Sequence, residues 1–97
     1  MAVKVISKRT FQMDDKKKLI SLLAELRSLS KGQPGHISRE TLRSLDNPGE
    51  YIVISEWKTS EDWKIWLKNQ KRREIQGKID SLIGEKTFYE IFEPEIF

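Results

Sequence analysis

Three tryptophans, Trp57, Trp63 and Trp66, fall within ten positions, and the last two lie in EDWKIWLKNQKRRE, a run that also carries five basic residues. Aromatic faces beside cations could stack bases and neutralise phosphates, the chemistry of a single-strand nucleic-acid grip. The same aromatics could instead wall an apolar ligand pocket, or simply anchor a helix on a sheet. On a helical wheel Trp66, Leu67, Gln70 and Glu74 cluster with Trp63, whereas Lys64, Lys68, Lys71 and Arg72 take the opposite side. Aromatics and cations are thus predicted on separate faces, which favours a solvated basic back over nucleic acid. A helix break near Asn69 would move Gln70 and Glu74 off the aromatic side.

Other reactive chemistry is sparse. Cysteine is absent, which removes thiol nucleophiles, disulfides and thiolate metal sites. His36 is the only histidine. It cannot build a multi-histidine metal site, and the carboxylates lack paired ligand spacing, so no metal is expected. His36 reads as a strand-start residue beside a Pro-Gly turn, and the role of a lone general base stays open. The KGQPG segment lacks the Lys-Ser/Thr ending of a phosphate loop, and no nucleophile elbow occurs.

The elements that must position these residues follow from patterning. Val3–Phe11 alternates as a strand, and Met13–Gly32 switches to helical spacing with Leu19, Leu22, Leu23, Leu26 and Leu29 on one face. Asp14 and Asp15 suit that helix's first turn, and Gly32 its end. His36–Leu45 and Tyr51–Trp57 read as strands joined across Asp46–Glu50 as a hairpin. Thr59 or Ser60 caps a helix that runs to about Leu67 and resumes until Gly84, and Lys86–Pro94 is a last strand. The order β-α-β-β-α-β predicts an α+β, ferredoxin-like domain over residues 1–97 with an antiparallel sheet.

Two strands are apolar on both faces. Ile52 and Ile54 oppose Tyr51, Val53 and Trp57, while Phe88 and Phe92 oppose Tyr89 and Ile91. Helices cover one face of such a sheet, so the other needs a second cover, most economically another subunit. A chain of 97 residues with 37% hydrophobic and 34% charged residues supplies only a thin core, which makes burial in a homodimer reasonable. No run approaches the roughly 18 apolar residues of a membrane span, and the N-terminus lacks a secretory pattern, so a cytoplasmic protein is expected. The net charge of +3 is local. Trp63–Lys78 holds six basic residues against Glu74 alone, leaving the remainder at −2.

Several short patterns coincide in QPGHISRETLRSLDNPGEYIVISEWKTSEDWKIWLKN. Pro34-Gly35, Ser38, Glu40-x-Leu42-x-Ser44, Glu56-Trp57 and Ser60-Glu61 together resemble the central block of the antibiotic biosynthesis monooxygenase family. The resemblance implies a dimeric α+β barrel in which two four-stranded sheets pair, with a ligand cavity between sheet and helices. It also implies a relation to cofactor-independent oxygenases of quinols or polyketide anthrones, and to haem-degrading enzymes. Many members carry histidine where this chain has Trp66, and a second histidine in the region that reads NQKRR here. Haem-degrading members match Trp66, but their asparagine and iron-ligating histidine correspond to Lys8 and Gln76. Glutamine is not the usual axial ligand, so haem, and any other cofactor, is not expected.

The sequence therefore predicts a monooxygenase-like homodimer that binds a small hydrophobic or aromatic molecule, with catalysis itself left open. Candidate pocket residues are Trp57, Trp63 and Trp66, with Tyr51, Tyr89, Gln70 and His36 as polar contacts. The competing reading is a non-catalytic binding or stress-related module on the same fold, favoured by the missing histidines. An RNA-binding domain is disfavoured, because Tyr51–Trp57 lacks the basic-glycine-aromatic motif of RNA-recognition sheets.

Overall fold

The computed structural model describes residues 2–10 and 16–96. Asp14, Asp15 and Phe11 lie outside the described residues. The elements are β1 (Val3–Thr10), α1 (Lys17–Lys31), β2 (His36–Arg43), β3 (Glu50–Trp57), α2 (Ser60–Lys68), α3 (Gln70–Ile83) and β4 (Phe88–Phe92). The four strands form one antiparallel sheet in the order β2-β3-β1-β4. The expected ferredoxin-like α+β plan is present, with the second helix divided in two. Strands β2 and β4 are shorter than the expected His36–Leu45 and Lys86–Pro94. Among the described residues no helix is long and apolar enough to cross a membrane.

Helix α1 buries Leu19, Leu22, Leu26 and Ser30, the i, i+3, i+4 stripe expected of a helix lying on a sheet. The three leucines meet Val3, Val5, Trp57, Trp63, Trp66, Ile75 and Ile79 in one core. Trp57, at the end of β3, is 0% exposed. Full burial of such a large aromatic makes it a central contributor to the core's stability.

Two local devices set where the helices begin. The Thr59 hydroxyl accepts from Asp62 N at 3.0 Å, and Glu61 and Asp62 occupy the first turn of α2. That cap contributes about 1 kcal/mol. Asn69 then leaves helical geometry (ψ 125°), and its side chain accepts from Arg72 N at 2.9 Å. It ends α2 and caps α3 at once. Gly35, at φ +81°, packs its Cα against the Asp62 side chain and accepts from Lys58 N at 2.8 Å through its carbonyl. A side chain there would collide with α2, so this glycine docks the β2 entrance on the helix start.

The sheet's two faces differ in kind. Cross-strand register aligns Leu42, Ile52, Lys8 and Phe88 in one outer row, and Glu40, Ile54, Ile6 and Glu90 in the next. None of the described helices covers that face: Phe88 is 77% exposed, Phe92 48% and Leu42 39%. The inner face carries Val3, Val5, Ser7 and Arg9 from β1, all at most 5% exposed. The paired apolar faces anticipated for β3 and β4 are therefore present.

Candidate functional site

Between the inner sheet face and the helices lie two adjoining chambers. The inner one, about 30 Å³, is walled by Trp57, Trp63 and Trp66, with His36, Arg39, Arg72 and Tyr89 among its polar neighbours. Its volume suits one or two waters and no larger molecule. The outer one, about 210 Å³, is lined by Ile20, Leu23, Tyr51 and Val53, with Arg27, Arg39 and Lys16 around them. That exceeds the roughly 150 Å³ that holds a benzene and falls below the roughly 300–1,000 Å³ of drug-sized sites.

The tryptophans pack on one another. Trp66 stacks on Trp57 with centroids 6.1 Å apart, and Trp63 tilts against Trp57 at 6.0 Å and meets Tyr89 edge-on at 5.2 Å. Trp66 thus walls the inner chamber while filling most of the space beside it. His36 sets its ring edge-on to Trp57 at 5.2 Å. Its Nε2 is buried and has no hydrogen-bond partner. Burial, with Arg39 and Lys31 nearby, holds the His36 pKa below the ordinary 6.5. The imidazole is therefore neutral at pH 7, with one nitrogen uncommitted.

The structure corrects the helical wheel in one respect that matters. Arg72 is not on a solvated back but 4% exposed. Its guanidinium lies 5.9 Å from the Trp63 ring centre, 5.8 Å from that of Trp66 and 5.1 Å from that of Tyr89. It donates to the Leu67 carbonyl at 3.2 Å and to the Tyr89 hydroxyl. The cause is the interruption at Asn69: α3 restarts with a new phase, so Arg72 turns inward. Gln70 and Glu74 turn outward by the same rotation and are exposed. Gln70 lines neither chamber, whereas Trp57, Trp63, Trp66, His36 and Tyr89 line the inner one and Tyr51 the outer.

Sequence reasoning also passed over Arg9, Arg39 and the use made of Gln76. Arg9, 5% exposed, donates to Gln76 Oε1 at 3.3 Å and to Thr87 Oγ1 at 3.3 Å. The Tyr89 hydroxyl donates to the same Gln76 oxygen at 3.0 Å. Gln76 Nε2 donates to Asp80 Oδ1 at 2.8 Å and to Thr87 Oγ1 at 3.0 Å, and Thr87 donates to Asp80 at 2.9 Å. Burial lowers the pKa of Arg9 and Arg72 and raises that of Tyr89. Both amide atoms of Gln76 are committed to side chains, which leaves it no role toward a haem iron. Lys8 faces the opposite side of the sheet, where it pairs with Glu50 at 2.9 Å. Among the described residues no three His, Cys, Asp or Glu side chains gather as metal ligands. The signal for Arg9 was its period-two placement after Val3, Val5 and Ser7 on the buried strand face.

Comparison with known proteins places the chain. The sequence model for "antibiotic biosynthesis monooxygenase" matches residues 2–78, and the protein belongs to that family. Its fold matches that of SnoaB, described as a cofactor-independent oxygenase from Streptomyces nogalater, at TM-score 0.84 and 17% identity over 99% of this chain and 95% of that one. It also matches a conserved protein from Methanosarcina mazei (TM-score 0.87, 18% identity, 98% and 94% covered). Rv0793 from Mycobacterium tuberculosis is similar at TM-score 0.83 and 15% identity, with 100% and 98% covered. Protein SchA of Streptomyces halstedii is 33% identical over 42 residues, which are 43% of this chain and only 11% of that relative's length.

Two measurements probe the site's energetics. Gln76→Leu strips the Tyr89 hydroxyl of its acceptor and Arg9 of one. It should lower the unfolding free energy by about 2–3 kcal/mol, read from the denaturant midpoint at unchanged slope. Because the His36 pKa is depressed on folding, the unfolded chain binds more protons below pH 6.5. The stability that neutral His36 retains is therefore full above 6.5 and is lost as pH falls toward the lowered value. Thermal melts from pH 7 to 5 should show a shallower loss for His36→Gln than for the parent.

Proposed function

We propose that the protein is a homodimeric oxygenase that inserts oxygen into a one- or two-ring quinol-type substrate without metal or flavin. The observation that carries this reading is a neutral His36 whose buried Nε2 has no partner, in the wall of a chamber that three tryptophans also line. Family membership and the description of SnoaB as cofactor-independent support it. The outer chamber's volume favours a small quinol over a larger anthrone, which would need the chambers to open.

His36 accepts the proton of the substrate hydroxyl through a water held in the inner chamber, and the electron-rich anion in the outer chamber reduces dioxygen. A quinol and one dioxygen then give a hydroxyquinone and one water, with all four electrons supplied by the substrate. Arg39 and Arg72, at the chamber wall, stabilise negative charge as it develops in a site with little water. Substrate oxygenation should appear as dioxygen uptake with a naphthoquinol. His36→Gln should slow it by about a hundredfold or more, the usual scale of a general base. A parent protein that is thermally stabilised by the quinol yet consumes no dioxygen above the uncatalysed rate is a binding module instead.

The outer sheet face supports the dimer. Its apolar centre of Ile6, Ile52 and Ile54 is ringed by Lys4, Lys8, Glu40 and Glu90, the composition of an interface with a dry middle and charged rim. Sedimentation should give twice the chain mass of 11.4 kDa, and Ile54→Lys should give the single mass with the fold retained. A monomeric parent protein would sink the barrel arrangement.

A further inference from the structure

We propose that the pocket takes its aromatic ligand as an anion, with a ring-borne oxyanion seated at the neck between the two chambers and held by Arg9 and Arg39. The proposal deepens the ligand-binding reading above and rests on it. Arg9, Arg39 and Val53 are the residues common to both chambers, so the two guanidiniums flank the passage between them. No carboxylate among the described residues lines either chamber.

The charge count makes this neck unusual. Arg9 and Arg72 are buried, and Arg39 is half-buried behind them. Among the described residues Asp80 is the carboxylate whose field reaches Arg9 and Arg72, and its Oδ1 already accepts from Gln76 and Thr87. Arg9 and Arg72 at least find neutral acceptors in Gln76, Thr87, Tyr89 and the Leu67 carbonyl. Arg39 does not: its Nε is buried with no partner, and no carboxylate of the described residues pairs with it. Burial, together with Arg9 and Arg27, pushes its pKa down to about 10.

A desolvated guanidinium without an anion is costly, and a paired one is far less so. A ligand oxyanion at the neck would supply that counter-charge and accept from the open edge of Arg39. The planar fork suits a carboxylate bidentately and a phenolate through one or two N–H groups. The outer chamber offers Ile20, Leu23, Tyr51 and Val53 to the rings. The ligand class is thus a one- or two-ring aromatic bearing a carboxylate or an ionised hydroxyl.

Titration calorimetry with 2-naphthoate and its neutral isostere 2-naphthamide tests this without turnover. The carboxylate should bind at least about tenfold tighter than the amide. Arg39→Gln should erase that ratio, and Arg39→Lys should retain part of it. Should Arg39→Gln fail to fold, the parent protein's ratio alone decides. A second arm follows the absorbance of bound 2-naphthol against pH. A titration shifted to lower pH than that of free naphthol assigns a phenolate ligand, while carboxylate preference without that shift assigns a carboxylate. Equal affinity for naphthoate and naphthamide with no naphthol shift overturns the proposal, as does binding of none of the three. An anion preference in a protein that consumes no dioxygen leaves the inference standing and removes only the oxygenase reading.

Discussion

The guanidinium of Arg72, enclosed by Trp63, Trp66 and Tyr89, is the contact on which the arrangement of this site depends. A charge so deep in a small core needs both ring faces and hydrogen-bond acceptors, and it draws them from three elements. Leu67 lies at the end of α2, Tyr89 on β4, and Gln76 extends the connection from α3 to Arg9 on β1. The second helical segment is thereby tied to the neighbouring strands β1 and β4 through polar contacts rather than apolar packing alone. Such a network rigidifies a core when every member is satisfied.

Only Asn69 makes this possible. Its extended backbone ends α2, and its side chain restarts α3 with a rotated phase, so the residue three positions on faces inward. An unbroken helix would leave Arg72 in solvent and bring Gln70 and Glu74 against the tryptophans. One short-range hydrogen bond therefore decides which side chains meet the chamber.

The sheet separates two tasks between its faces. Inward, β1 alternates from Val3 and Val5 to Ser7 and Arg9, passing from apolar core to polar chamber along one strand. Outward, half-buried isoleucines and exposed phenylalanines are bordered by lysine and glutamate. The same period of two that buries a cation on one side presents a docking face on the other. Low identity to SnoaB and to the Methanosarcina protein, at nearly full coverage, fits a fold held by such patterning.

Strand alternation, the leucine stripe of α1 and the glycine and proline breaks determined the element order from sequence alone, because each is a local property read within a few residues. The two-faced strands were legible for the same reason, and Trp57, Trp63, Trp66, His36, Tyr51 and Tyr89, singled out by type and spacing, line the two chambers. Gln70 and Arg72 were misplaced because a helical wheel assumes one continuous phase, and the cap at Asn69 resets it. Arg9, Arg39 and Gln76 come from β1, β2 and α3, far apart in the chain, and no local pattern reports that their side chains converge. Their shared burial, and the charge left uncompensated at Arg39, exist only once the sheet and helices are packed, since desolvation is a property of the assembled core.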